Sequence, residues 1–386
     1  MSTPAELLDA LLDNSEQTYQ HSMRKQPRIV LYGAGNLGRS VLKRLRSADV
    51  DPIAFADDTL SKQGKTIDGL QVYPPEEIAR RFGSDLTFVV TILNPALRFL
   101  DAKENLRRRT GCDAISLFDL GRMFPDALLP YLQYDTPGHV LKSSDDIRRA
   151  FDVFADEESR RQFVAHVEFR LTANYQKLPA KSQPAYFPAD LIPELPADCV
   201  FVDCGAYDGD TIRQFLSHQS GRFGKVVAFE PDRQNYENLS TYVQSLEADV
   251  SSRIQLYHGA VGDSSGEIAF NETGDMSAAV SADGRGKVAL FAIDDVLSSN
   301  GATTYIKLDV EGFEPQALTG AHRILKAERP FLAVSVYHRP EDLWRIPLSL
   351  HDLNHGYSLG LRTEGDDGMD VVCYAIPTPS ARPTLA

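Results

Sequence analysis

The sequence predicts an α/β chain built from two doubly wound, Rossmann-like domains with a helical linker between them. Three observations carry this. Short apolar strands alternate with amphipathic helical stretches over residues 28–142 and again over 197–377, the pattern of parallel sheets covered by helices. In each half the first strand runs straight into a glycine-bearing turn, Gly33-Ala34-Gly35 or Gly205-Ala206-Tyr207. The length, 386 residues, also exceeds the roughly 250–300 at which a single hydrophobic core stops growing.

In chain order, Leu7, Leu8, Leu11 and Leu12 recur at helical spacing. Residues 1–27 are therefore expected to hold a helix packed on the body of the protein or on a partner chain. Residues 29–32 form an apolar strand, and Val41, Leu42 and Leu45 mark one face of the following helix, which Asp51-Pro52 ends. Residues 53–56 read as a second strand finishing at Asp57-Asp58, Pro74-Pro75 opens another helix, and 86–92 is a third strand. Asn94-Pro95 is expected to start the helix that runs to Gly111. Between Ser143 and Tyr175 a stripe of Ile147, Phe151, Phe154, Phe163, Val167 and Leu171 predicts helix, with Ser144 as its cap. Residues 178–196 carry Pro179, Pro184, Pro188, Pro193 and Pro196 without periodicity. This is the expected boundary, so 143–196 is the linker. Further strands are expected at 199–202, 225–229, 254–257, 304–308 and 331–337, with 371–376 closing the sheet. Two extra short strands fall at 267–271 and 288–293, and the tail 378–386 is expected to be disordered.

Composition narrows the function. A net charge of −14 opposes any broad grip on phosphates, so no nucleic-acid partner is expected; Arg107 to Arg109 and the pair Arg160-Arg161 read as solvated helix faces. No run reaches the roughly 20 apolar residues of a membrane span. Glu6, Asp9 and Asp13 stand where a signal peptide would be basic. The four cysteines (Cys112, Cys199, Cys204 and Cys373) form no CxxC pair, and a cytoplasmic setting is expected.

Chemistry concentrates in the second half. Open α/β sheets bind ligands beyond the carboxyl ends of their strands. There Asp203, Glu230, Asp309, Glu311 and His338 follow successive strands, with Gly205 and Gly209 in the first turn. The glycines let backbone approach a ligand, and an acid after the second strand is placed to accept hydrogen bonds from ribose hydroxyls. A nucleoside ligand fits this arrangement. Plainer roles stand beside each residue. Asp309 could cap a helix, Glu311 is an acid of the kind any first helical turn favours, and His338 could be a surface residue. Lys307 reads as the partner of a nearby carboxylate, and Trp344 as either core or pocket lining.

The segments VFVDCGAYDGDT (200–211), VVAFEPD (226–232), GAVGDSSGEIAF (259–270), AIDDVL (292–297) and YIKLDVEGFEPQALTGA (305–321) together resemble the FkbM family of methyltransferases. SVYHRPEDLWRIPLSL (335–350) and VVCYAIP (371–377) continue the resemblance. It implies a class I methyltransferase fold with S-adenosylmethionine over Asp203, Gly205, Ala206 and Gly209. Asp210, Thr211, Pro231 and Asp309 would complete that cofactor-binding set, with Glu230 on the ribose and Ala260 and Val261 near the adenine. Tyr207 departs from the further glycine that many methyltransferases carry there. The implied acceptor is a small molecule with a free hydroxyl: a sugar, a nucleotide-sugar or a natural-product intermediate. An alcohol must lose its proton as it attacks, which makes His338, Asp309 and Glu311 the candidate catalytic groups. Asp309, Glu311 and His338 are also conceivable metal ligands, but no metal is assigned.

The first half satisfies the dinucleotide fingerprint: Gly33-x-Gly35-x-x-Gly38 between strand and helix, with Asp57 nineteen residues after Gly38. IVLYGAGNLGRSVLKRL, IAFADD and KQGKTIDGLQVYPPEEI resemble the nucleotide-sugar-binding domain at the start of certain sugar acyltransferases. The resemblance implies that Gly33, Gly35, Asn36, Gly38, Asp57 and Asp58 hold a nucleotide or nucleotide-sugar; a scaffolding or dimerising role stays open. The competing readings of the whole chain are an NAD-dependent oxidoreductase built on this first domain, and a non-catalytic nucleotide-binding scaffold.

Overall fold

The computed structural model describes residues 2–19, 27–94, 97–271, 279–280, 286–297, 303–353 and 356–378. The chain forms two compact units. The first comprises Met1–Ser144, Val164–Pro179 and Gly365–Gly368, the second Asp145–Phe163, Ala180–Glu364 and Met369–Ala386. The expected linker is therefore shared between them.

Four consecutive apolar residues make β1 (Ile29–Tyr32), and all four are buried, as a strand covered on both faces must be. Around it stand β2 (Ala54–Ala56), β3 (Thr66–Ile67), β4 (Leu70–Tyr73), β5 (Thr87–Val90) and β6 (Asp113–Ser116), in the order β3-β4-β2-β1-β5-β6. Every pair is parallel except the β3–β4 hairpin. The helix Asn36–Ser47 buries Val41, Leu42 and Leu45, the three residues whose spacing predicted it. Asn94-Pro95 does not start the next helix. That helix spans Phe99–Thr110 from an Arg98 cap, while Asn94 bridges to Leu97; Pro95 lies outside the described residues. Ser144 is the first residue of its helix rather than the cap, and its hydroxyl donates back to the Leu141 carbonyl. At the N-terminus, Thr3 and Glu6 form a reciprocal capping box on the helix Pro4–Leu12, which buries Leu8 and Leu12.

In the second unit the strands are β7 (Val200–Cys204), β8 (Lys225–Glu230), β9 (Ile254–His258), β10 (Ala260–Gly262), β11 (Gly266–Asn271), β12 (Ala279–Val280), β13 (Gly286–Ala292), β14 (Tyr305–Leu308), β15 (Phe331–Ser335), β16 (Tyr357–Thr363) and β17 (Val371–Pro377). The main sheet runs β16-β17-β15-β14-β7-β8-β9, and a smaller sheet runs β10-β13-β11-β12. In the main sheet only the pairs made by β17 are antiparallel. The strand expected to close the sheet, β17, lies inside it; the edge is β16, which the sequence reading passed over. Gly360 and Arg362 interrupt its apolar run. Arg362 is nonetheless buried, because Asp190 at 2.5 Å, Asp156 at 3.3 Å and the Ser159 hydroxyl satisfy its guanidinium.

The proline-rich stretch forms neither helix nor strand beyond residue 177, yet it is no loose tether. Phe187 is fully buried against Tyr305, Phe201 and Phe215, with ring centroids 5.5, 5.9 and 6.0 Å away. Trp344 packs in the core at 1% exposure. All four cysteines are free and buried. Among the described residues no helix is long and apolar enough to cross a membrane. The tail 379–386 lies outside them.

Candidate functional site

In the second unit β7 is the topological switch point, with β8 on one side and β14 on the other. Asp203, the penultimate residue of β7, is fully buried, and its Oδ1 accepts from the Lys307 ammonium at 3.0 Å. Lys307 also donates to the Gly205 carbonyl at 2.7 Å, so the expected partner of this lysine is Asp203. Burial raises the Asp203 carboxyl to about 6 in spite of the ammonium. Burial alone would lower Lys307; Asp203, Asp309 and Asp210 outweigh it and hold the lysine above its ordinary value. Both groups are ionised at neutral pH. The second oxygen of Asp203 has no hydrogen-bond partner among the described residues although it is buried.

The turn after β7 is pulled towards β8: the Gly205 and Ala206 amides both donate to the Phe229 carbonyl at 3.0 Å. Tyr207, in the left-handed region at φ +48°, donates its amide to Glu230 Oε2 at 2.8 Å. The other Glu230 oxygen accepts from the Asp232 amide, also at 2.8 Å. Glu230 is therefore fixed beside the turn, and burial raises its carboxyl to about 7 against those two hydrogen bonds. Pro231 follows it and is half-buried. Gly209 caps the helix Asp210–His218; Asp210 is exposed at its start and accepts from the amide of Thr211, which is buried. Ala260 and Val261 are buried in the smaller sheet.

Beyond β14 and β15 a second cluster forms. Asp309 Oδ2 accepts from the Tyr186 hydroxyl at 2.9 Å, and Oδ1 from the Tyr337 hydroxyl at 3.3 Å. His338 is buried, with Nδ1 2.8 Å from Glu314 Oε1. That same glutamate oxygen accepts from the Val310 amide at 2.8 Å. The far nitrogen, Nε2, faces Asp309 at 3.5 Å and Glu311 at 3.7 Å. Glu311 sits in the left-handed region at φ +53°. Burial raises its carboxyl to about 8, with Asp309 and Glu314 adding to the rise. Burial would lower the His338 imidazole, but Glu314, Glu311 and Asp309 overcome it and hold it up at about 10. Burial also works to raise Asp309, yet Lys307 and His338 keep it below its ordinary value. The structure thus brings His338, Asp309 and Glu311 together. Sequence reasoning missed the parts that hold them. Glu314 lay unremarked inside the quoted EGFEP segment, Tyr337 stood next to His338, and Tyr186 sat in the proline-rich stretch, where no periodic signal marks it.

In the first unit, Gly33 (φ +115°), Ala34 and Gly35 make the turn before the helix Asn36–Ser47. Gly38 is packed so tightly that a Cβ would fall 1.9 Å from the Gly33 carbonyl oxygen, whereas one on Gly35 would meet nothing within 4 Å. Asp57 is buried and accepts from the Ala34 amide at 2.8 Å, the Thr59 amide at 2.9 Å and Lys62 at 3.0 Å. Asp58 pairs with Arg109 at 2.7 Å and accepts from the Tyr32 hydroxyl at 2.6 Å. Both acids reach the strand end where they were expected, but protein groups already occupy them.

The family model of the methyltransferase FkbM domain matches residues 203–359. The chain carries an FkbM methyltransferase domain. That FkbM domain starts at Asp203 on β7 and ends in β16, so it holds both clusters of the second unit except Tyr186. Over the whole chain, the crystal structure of methyltransferase FkbM from Methylobacillus flagellatus KT is similar in fold, with a TM-score of 0.76 and 23% identity. The alignment covers 97% of this chain and 98% of that one. Partial likenesses include UDP-D-quinovosamine 4-dehydrogenase from Vibrio fischeri (TM-score 0.21, 22% identity, 27% of this chain and 88% of that one). A putative rRNA-methylase from Clostridium thermocellum is another (TM-score 0.31, 10% identity, 47% and 88%). No curated protein matches.

Proposed function

We propose that the second unit is an S-adenosylmethionine-dependent O-methyltransferase acting on a hydroxyl of a sugar, nucleotide-sugar or natural-product intermediate. One observation carries the reading. At the switch point a glycine turn is hydrogen-bonded to an acid at the end of the next strand, while an Asp–His–Glu cluster follows the two strands on the other side, β14 and β15. The first group suits a nucleoside and the second an alcohol. Glu230 receives the ribose hydroxyls, and the unpartnered oxygen of Asp203 suits the ammonium of the methionine end. Most of the rate comes from holding the acceptor oxygen in line with the methyl carbon. Asp309, ionised beside the His338 imidazolium, takes the hydroxyl proton as the oxygen attacks, and Glu311 flanks them.

Calorimetry of the full chain with S-adenosylhomocysteine tests this, followed by a mass-shift screen over hydroxylated acceptors. Saturable binding is expected; a flat titration at neutral pH defeats the proposal. Hydroxyl donors bond more strongly to an ionised carboxylate than to a neutral one. With Glu230 near 7, affinity is expected to hold above that pH and weaken below it, by at most about tenfold per pH unit. A Glu230→Gln chain should bind more weakly and lose this pH dependence, and a dependence it retained would remove Glu230 from the ribose.

For the first unit the same logic favours a nucleotide or nucleotide-sugar on the Gly33–Gly38 turn. The open space over Gly35 leaves room for a phosphate at the amino end of the helix behind it. Gly35→Val is expected to leave the thermal unfolding of the chain unchanged while abolishing the binding of a uridine diphosphate probe. Equal binding by parent and variant would discard the site.

A further inference from the structure

We propose that His338, Asp309 and Glu311 form a site for one divalent cation of the Mg2+ or Mn2+ kind, with Glu314 fixing the imidazole. The inference rests on the O-methyltransferase reading for its purpose and on the cluster's geometry for its existence. His338 Nδ1 lies 2.8 Å from Glu314 Oε1, and Glu314 is itself fully buried and bonded to the Val310 amide. This matches the arrangement around metal-binding histidines, where a carboxylate takes the far N–H and turns the other nitrogen towards the ion. Here the other nitrogen, Nε2, is buried and has no hydrogen-bond partner among the described residues, and Glu314 Oε2 is in the same condition; a cation at Nε2 takes the place of the proton that makes His338 an imidazolium in its absence.

What Nε2 faces is two carboxylates, Asp309 Oδ1 at 3.5 Å and Glu311 Oε2 at 3.7 Å. These separations are long for hydrogen bonds. With metal–ligand bonds of about 2.1 Å, neighbouring ligand atoms stand roughly 3.0–3.5 Å apart, so Asp309 is already at that spacing and an ion would draw Glu311 in slightly. Ligand atoms of Asp309, Glu314 and His338 all fall within 4.8 Å of one another, and Glu311, outside that group, is brought to the site by its 3.7 Å approach to Nε2. The Tyr186 hydroxyl on Asp309 Oδ2 leaves Oδ1 facing the centre, where Tyr337 also reaches it at 3.3 Å. Two carboxylates with one imidazole and no thiolate select a hard-to-borderline cation.

Such an ion would complete the acceptor side of the proposed site. An acceptor hydroxyl bound to it is more acidic, as any oxygen on a divalent cation becomes. The O–H proton passes to a carboxylate of the cluster and on to water. The oxygen's electron pair then forms the new bond to the methyl carbon, the carbon–sulfur bond breaks, and its pair stays on sulfur as S-adenosylhomocysteine departs.

The test uses the full chain stripped with EDTA and titrated with Mn2+, free Mn2+ being read by electron paramagnetic resonance. One Mn2+ per chain is expected. Glu314→Gln, which loosens only the imidazole's support, should weaken binding about 10–100-fold, while His338→Gln and Glu311→Gln abolish saturable uptake. S-adenosylhomocysteine binding by the same variants confirms that the unit is folded. A parent chain that binds S-adenosylhomocysteine yet takes up no Mn2+ overturns the cation site, as does uptake undiminished in His338→Gln and Glu311→Gln. A parent that binds Mn2+ but not S-adenosylhomocysteine keeps the site and removes the methyltransferase reading instead.

Discussion

A Lys307→Met chain is expected to lose about 3–5 kcal/mol of stability in its second unit, the usual cost of removing one partner from a buried ion pair. Methionine keeps the bulk of the side chain, so the loss is electrostatic. Asp203 is fully buried, one of its oxygens is already unpartnered, and Lys307 Nζ at 3.0 Å is the charge that permits its ionisation there. Without the ammonium the carboxyl must take a proton or remain charged in a dry site. Its folded pKa, already about 6, moves further above that of the unfolded chain. The folded state then binds more protons than the unfolded state across that interval, so stability falls as pH rises through it. The deficit should accordingly be larger at pH 8 than at pH 5. Trp344 is the only tryptophan and lies buried in the second unit, so its fluorescence during urea unfolding reports on that unit directly. The double variant Asp203→Asn, Lys307→Met should recover part of the loss. A single variant as stable as the parent at pH 8 would show that the pair does not hold this strand end together.

That pair also marks how far the sequence could be read. Lys307 announced a carboxylate partner because a lysine inside an apolar strand must have one. Strands such as β1, β7 and β14 were legible because short runs that are apolar in all but at most one residue fit a sheet covered on both faces. β16 was not, because Arg362 looks like a surface residue until Asp190, 172 positions earlier, is seen to neutralise it. The site divides in the same way. Acids and glycines at strand ends could be found from local pattern alone, so Asp203, Glu230, Asp309, Glu311 and His338 were all named. The groups that orient them act across the chain: Tyr186 reaches Asp309 over 123 positions, and Glu314 reaches His338 over 24. Pattern says where a carboxylate stands, not whether it is already occupied. Asp57 shows this in the first unit, where the Ala34 amide and Lys62 hold the group that the fingerprint offers to a ligand.

Gly205→Ala is expected to damage both stability and cofactor binding, and for a reason separable from loss of flexibility. Gly205 has φ +82°, which costs an alanine about 1–2 kcal/mol. A Cβ there would also lie 1.9 Å from the backbone oxygen of Asp309, at the start of the loop after β14. Backbone cannot swing aside as a side chain can, so the ends of β7 and β14 must part. Forcing packed atoms apart adds about 1–3 kcal/mol. The parting falls where the Gly205 carbonyl accepts from Lys307 and where Asp309 begins the acidic cluster, so it displaces both clusters at once. Gly221→Ala is the control: Gly221 has φ +72° but nothing within 4 Å of its would-be Cβ, so it carries the conformational cost alone. Unfolding followed at Trp344 should therefore rank Gly205→Ala well below Gly221→Ala. Calorimetry should show S-adenosylhomocysteine affinity reduced more than about tenfold in the first, equivalent to about 1.4 kcal/mol, and unchanged in the second. If both variants bound it as the parent does, the turn would not be the cofactor's seat, and the close approach of β7 to β14 would be packing alone.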